Sequence, residues 1–197
     1  MQNSFTRKII ELEITLGKGV FSEGGETKII RGLPCRVNIS KPGLPDQNSA
    51  SVTVTGLSYE DMERLTTLAF RPLESHHNLM TIRAGEEGGP LSVAFKGEII
   101  SAWADFNTAP DVAMIFDASS GNYPQQIAEE PLSVHEEAPL EDLLRQFAAA
   151  AGYAFKNEGF SGSVRNSIFS GSPITKALAA AEEAGAALLI DDGTMIL

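Results

Sequence analysis

The run Ile10-Glu11-Leu12-Glu13-Ile14-Thr15-Leu16 alternates apolar and polar side chains without a break. Successive side chains of an extended strand point to opposite faces, so this period of two puts Ile10, Leu12, Ile14 and Leu16 on one face of a half-buried strand. A strand of that kind needs neighbours to take up its backbone hydrogen bonds, and the following hundred residues supply them. Strand patterns recur at 28–33, at Cys35–Ser40, in the β-branched run 51–55, at 79–84, in a long stretch at 91–106 and at 112–118. Pro34 marks an edge or a bend between the second and third of these, because proline donates no ladder hydrogen bond. Two prolines and a glycine make Lys41-Pro42-Gly43-Leu44-Pro45-Asp46 a loop, and Gly85-Glu86-Glu87-Gly88-Gly89 reads as a hairpin-type turn. Gly97, within Phe95-Lys96-Gly97-Glu98-Ile99, marks a place where a long strand bulges or bends.

One helix interrupts the strands. Ser58 is a suitable N-cap, Glu60 and Asp61 sit in the first turn, and Met62, Leu65, Leu68 and Ala69 follow at helical spacing, ending before Pro72. The spacing of the elements suits, for residues 1–125, a small antiparallel barrel or sandwich of about seven strands with one short helix, and the β-rich barrel-like domain is the expectation. Beyond 121–132 the period changes. Leu140, Leu143, Leu144, Phe147, Ala148 and Ala151 recur at three and four residues, an amphipathic helix that stops at Gly152. A strand follows at 153–156. A second helix opens on Ser172 as N-cap with Pro173 in its first turn, carries Leu178 and Ala181, and stops at Gly185. A strand at 187–190, the tight turn Asp191-Asp192-Gly193 and a final strand at 194–197 complete the chain. Gly152-Tyr-Ala-Phe echoes Gly185-Ala-Ala-Leu, so residues 126–197 read as a small α+β domain of two helix–strand units of about 33 residues each. The fold class is therefore α+β.

The chemistry-bearing residues are sparse. Cys35 is the only cysteine, which leaves no intrachain disulfide and no thiolate cluster for zinc, and its place at the head of an alternating run suits a small packed hydrophobe. His76 and His77 are adjacent and on a strand would face opposite ways, while His135 beside Glu136 and Glu137 has no second histidine in register. Neither Gly159-Phe160-Ser161-Gly162 nor Ser170-Gly171-Ser172-Pro173 is a nucleophile elbow, no Walker-type loop occurs, and nothing singles out two acids as a hydrolase pair. No catalytic, cofactor-binding or metal-ligating residue is expected, and no cofactor. Trp103 is expected on a barrel's core or rim, with a recognition surface as the alternative. The alanine faces at 148–151 and 177–181 fit close helix packing.

The formal net charge of −11 opposes binding to phosphate backbones, so no specific nucleic-acid binding is expected. The acidic pairs Glu86-Glu87, Glu129-Glu130, Glu136-Glu137, Glu182-Glu183 and Asp191-Asp192 are scattered and read as solvated faces and turns. No apolar run approaches the roughly 20 residues of a membrane span and the first residues lack the core of a secretory signal, which points to a soluble protein made in the cytoplasm and to no membrane partner.

Several stretches together resemble the baseplate hub proteins of tailed phages and prophages. They are Asn78-Leu79-Met80-Thr81-Ile82-Arg83-Ala84-Gly85, Phe95-Lys96-Gly97-Glu98-Ile99, Ala104-Asp105-Phe106, Ala109-Pro110-Asp111-Val112, the segment from Gly152 to Gly159 and Phe169-Ser170-Gly171. The second domain separately resembles the small modules at the N-termini of secretins and TonB-dependent receptors. The resemblance implies a non-enzymatic virion protein of the tail baseplate that connects tail tube to spike, with other tail proteins as partners and a homo-trimeric assembly. Such hub proteins usually continue into a second barrel-like domain, a departure that leaves open whether these 197 residues are a fragment and what becomes of a trimer interface made there. In such a ring the acidic charge would keep the DNA path acidic or neutral. The alternative is a structural or binding module of a secretion or contractile injection apparatus.

Overall fold

In the computed structural model, which describes residues 6–17, 20–21, 24–42, 46–69, 78–107, 109–120 and 129–197, the alternating run forms β1 (Lys8–Thr15). Leu12 and Ile14 are buried at 1% and 0% exposure, as the period of two requires. β1 pairs antiparallel with β2 (Thr27–Arg31) on one side and with β5 (Leu79–Glu86) on the other. The remaining strands are β3 (Cys35–Ser40), β4 (Ser49–Thr55), β6 (Leu91–Asp105) and β7 (Ala113–Ser119). All seven share one antiparallel sheet in the order β2-β1-β5-β6-β7-β4-β3.

The two ends of that sheet are consecutive in the chain. Six antiparallel steps leave β2 and β3 running in the same direction, and only Gly32-Leu33-Pro34 joins them. Four residue steps reach at most roughly 14 Å, so the sheet must curl until its ends nearly meet. Gly32, at φ +80, supplies the left-handed corner. The barrel-like expectation thus holds in its curl and not in its closure: among the described residues β2 and β3 do not pair, and the chain itself spans the gap. β6 turns the opposite corner, pairing through Leu91–Glu98 with β5 and through Glu98–Asp105 with β7. Strands that pass from one half-sheet to the other at a bend are the usual way to make such corners.

Gly97 is not the bulge itself. The register slips at Ala94 and at Ile100, while Gly97 stays paired with Met80. Its missing Cβ makes room for the ring of the fully buried Phe95, and a Cβ there would stand 2.6 Å from Phe95 Cζ and 2.7 Å from the Ser119 carbonyl oxygen.

Helix α1 (Tyr59–Ala69) buries Met62 and Leu65 in the same core as Val52, Val54, Met80, Ile82, Met114 and Phe116. Its start is capped as the residues suggest: the Asp61 N–H donates to Ser58 Oγ at 3.2 Å, and the Ser58 hydroxyl donates back to the Asp61 carboxylate at 2.7 Å. Lys28 Nζ on β2 donates to both Asp61 oxygens at 2.7 Å, with the two side chains only 13% and 7% exposed. Burial works against the Asp61 charge, but hydrogen bonds from Lys28 and Ser58 and the Lys28 charge outweigh it and hold the carboxyl below the usual range. The stabilisation from a depressed carboxylate is complete above the ordinary value of about 3.9 and disappears as pH falls through the lower folded value. Asp61→Asn is therefore expected to lose about 1–3 kcal/mol at pH 7. In urea unfolding, the two proteins should converge in stability well below pH 4; a constant difference between pH 7 and pH 2 would remove Asp61 as its source. The side chains of Leu68 and Ala69, Pro72, and His76 and His77 lie outside what is described.

The second unit groups 120–197 with the β3–β4 connection Lys41–Asn48. It contains β8 (Glu129–Pro139), α2 (Leu140–Ala150), β9 (Ala154–Lys156), β10 (Ser163–Gly171), α3 (Pro173–Glu183), β11 (Leu189–Asp191) and β12 (Thr194–Ile196). The echo between Gly152 and Gly185 is physical. Both glycines are left-handed, at φ +76 and +68, and both helices close with the same pair of bonds. Tyr153 N–H reaches Ala148 O and Gly152 N–H reaches Ala149 O, matched by Ala186 to Ala181 and Gly185 to Glu182. Ser172 Oγ accepts from Thr175 N–H at 3.2 Å with Pro173 at the first position. Asp192 (φ +46) and Gly193 (φ +86) make the tight hairpin turn in which both central residues are left-handed.

Each unit of the echo is longer than a helix and a strand, because β8 leads into α2 and β10 leads into α3. These two strands pair with each other, while β9 lies parallel to β12, which also pairs with β11. Neither is visible as an alternating run because a bulge breaks both: Val134 opposes Ser167 and Glu137 opposes Arg165, leaving His135 and Glu136 against Asn166, which is left-handed at φ +50. Between α2 and α3, Ala148, Ala177, Ala180 and Ala181 are all at most 2% exposed, so the helix axes approach closely. Leu178, expected in the core, is only partly buried; Ile174 takes the central place at 1%. Lys176, 3% exposed, lies beneath β8 and donates to Glu129 Oε2 at 3.0 Å and to the Glu130 carbonyl.

Residues 121–128 lie outside the described part. We propose that the chain divides into two domains in the window 121–132, where the sequence period changes. Limited proteolysis should cut there first, and early cleavage inside 91–118 would speak against separate domains.

Candidate functional site

The residues considered for chemistry stand apart from one another. His135 is exposed at the β8 bulge. Cys35 is half-buried against the core of the curled sheet, and burial pushes its thiol up, away from a reactive thiolate. Gly159-Phe160-Ser161-Gly162 is a turn held by Asn157, whose side-chain oxygen accepts from Gly159 and Phe160 N–H at 2.9 Å. Ser172 is spent on its helix cap. Among the described residues no group of three or more His, Cys, Asp or Glu is placed to hold a metal ion, and no helix is long and apolar enough to cross a membrane.

Each acidic pair has a member tied locally. Glu86 bonds Lys8, Glu129 bonds Lys176, Glu137 bonds Arg165, Glu183 accepts from Ser167, and Lys41 meets both Asp191 at 2.6 Å and Asp192 at 3.3 Å. All lie at turns, element ends or the bulge. On the outer face of β2-β1-β5, Arg83 sits 2.6 Å from Glu13 and 3.4 Å from Glu11, and Glu11 also faces Arg31 at 3.9 Å. Arg31, Lys41 and Arg83 are therefore each set against carboxylates.

The outer face of the other half-sheet has a different character. Ala102 and Ala104 point inward opposite Phe116 and Met114, so the same parity sends Trp103 outward, paired with Ile115 and 38% exposed. Trp103 thus lies on the outer face of the sheet and not in its core. Phe106, one residue past β6, is 59% exposed, and Tyr59 at the start of α1 is 73% exposed. The parity of Ala102 and Ala104 was the signal in the sequence that could have placed Trp103 outside. Two open clefts, about 240 and 160 Å³, flank the β2–β3 link; the second runs between β2 and the start of α1. An indole and a phenyl ring on the outside of the curled sheet are the kind of side chains that supply contact area to another protein.

Three solved structures similar to this one are tail proteins. The tail protein from Neisseria meningitidis MC58 matches over 95% of this chain at a TM-score of 0.60 and 12% identity. The 43 kDa tail protein of prophage MuSo2 from Shewanella oneidensis matches over 94% at 0.57 and 12%. Prophage tail protein gp18 from Listeria monocytogenes EGD-e matches over 94% at 0.50 and 10%. The chain covers 50%, 53% and 49% of those proteins, so it spans about half their length. At such identities the likeness is one of fold. No family model and no curated protein matches the sequence.

Proposed function

We propose that the chain is a structural component of a phage or prophage tail, acting through protein–protein contacts and not as an enzyme. The observation that carries this reading is the fold likeness to a tail protein over 95% of the chain, which takes in the curled sheet and the smaller unit together. The outward Trp103 and Ile115 and the exposed Phe106 support it by offering apolar contact area.

The finer reading is a baseplate hub protein. Here the curled sheet continues the tube, the smaller unit corresponds to a secretin-like module, the chains assemble as homo-trimers in the virion, and neighbouring tail proteins join tube to spike. Its support is the sequence resemblance at 78–112 and 152–171. Mass spectrometry of purified tails from the producing strain, with native mass measurement of the isolated protein, tests both levels. Recovery in the tail fraction with a three-chain species supports the hub, recovery without a trimer leaves a different tail component, and absence from tails removes the whole reading.

A further inference from the structure

Among the described residues, the two ends of the curled sheet leave backbone hydrogen-bonding groups unused across a cleft. Leu16 N–H donates to Glu26 O at 2.7 Å, so the even-numbered residues of β1 bond toward β2. β2 ends opposite Glu11 and turns away at Gly32, so Ile10 and Lys8 present the same groups to no strand among the described residues. Odd-numbered residues serve β5, as Glu87 N–H to Arg7 O at 2.9 Å shows. On β3, Thr55 N–H donates to Pro34 O at 3.0 Å, which assigns Pro34, Arg36 and Asn38 to β4. By the same alternation Cys35, Val37 and Ile39 direct their N–H and C=O groups off the sheet.

Between these edges lies the larger cleft, about 240 Å³. Its floor is apolar, with Ile10, Leu33 and Cys35 packed against the barrel core. Its rim carries Arg7, Lys8 and Arg31 against the single carboxylate of Glu87, a local excess of positive charge on a chain of net charge −11. Lys8 also bonds Glu86, which does not line the cleft. Arg31 is loosely held, 3.9 Å from a Glu11 that Arg83 shares.

We propose that this seam is a docking site for an extended segment of a partner protein, added as a strand between β1 and β3, with apolar side chains alternating with acidic ones. Exposed strand edges bind extended chains through main-chain hydrogen bonds, while alternate side chains give the specificity. The inward side chains of such a segment would cover Ile10, Leu33 and Cys35, and the acidic ones would meet Arg7, Lys8 and Arg31. The proposal rests on the edges and charges of this chain and not on the tail assignment.

The test titrates the full chain with a short labelled peptide of alternating valine and glutamate, followed by fluorescence anisotropy and by residue-resolved amide exchange. Saturable binding is expected, weakened at least about tenfold in the Arg7→Glu, Arg31→Glu double variant, which should instead bind the valine–lysine counterpart. On binding, the amides of Val37, Ile39 and Ile10 should gain protection while those of Arg36 and Asn38, already bonded to β4, stay unchanged. Three results would each overturn the proposal: no saturable binding to the native chain, equal binding of the lysine peptide, or binding without new protection at Val37 and Ile39. The exchange measurement uses the native chain, so its outcome does not depend on the folding of the variant.

Discussion

Replacing Phe147 with alanine is expected to cost about 3–5 kcal/mol and to leave the second unit close to unfolding. Phe147 is 2% exposed in the middle of α2 and meets Phe169 of β10 edge to face, with ring centroids 6.3 Å apart. Removing the ring takes away its transfer energy and opens a cavity. Leu144, Ile174 and Met195 of the same core sit on three different elements and cannot close it together. Ala148 and Ala177, both fully buried in the same core, offer no side chain long enough to fill the space. Urea unfolding followed through the helical signal measures the loss. A change below about 0.5 kcal/mol would mean that this face of α2 does not pack as described.

The second large effect is expected from a single added methyl group. Gly97→Ala should destabilise the curled sheet by about 3 kcal/mol, the upper end for overpacking, because one of its two clashes is with backbone. The Phe95 ring can be displaced only by breaking a fully buried contact, and the Ser119 carbonyl belongs to β7. Ordinary strand propensity predicts the opposite sign, since alanine is the better strand residue. Thermal unfolding of the variant beside Gly89→Ala, whose Cβ would find nothing closer than 3.5 Å, separates the two effects. If both variants lose the same stability, the close approach at Gly97 is not what the glycine serves.

These two residues differ in how they could be read in advance. Phe147 stands in a row with Leu140, Leu143 and Leu144 at helical spacing, so its burial follows from the periodicity alone. Gly97 is conspicuous in a strand, but its purpose lies in Phe95 folding over it and in a carbonyl 22 positions later, which no local pattern contains. The candidate contact surface divides the same way. Trp103 stands out by type, and its outward direction follows from the alanines on either side. Its companion Ile115 is fixed by the pairing of β6 with β7.

By itself the sequence determined what neighbours within a few residues decide. The inward face of β1, the caps at Ser58 and Ser172, the left-handed stops at Gly152 and Gly185 and the Asp192-Gly193 turn all involve groups at most five positions apart. Each of these choices is settled by sterics or by one nearby hydrogen bond. The tertiary structure alone decided which strand lies beside which. A backbone N–H carries no label for its partner, so the order β2-β1-β5-β6-β7-β4-β3 is chosen by packing of the whole core and not by any segment. The same holds for β8 and β10, hidden because a bulge shifts side-chain parity in mid-strand and erases the alternation that would have revealed them. It holds also for the seam at β1 and β3: Gly32 and Pro34 announce a corner, but only the curl of the sheet brings the edges of β1 and β3 to face each other.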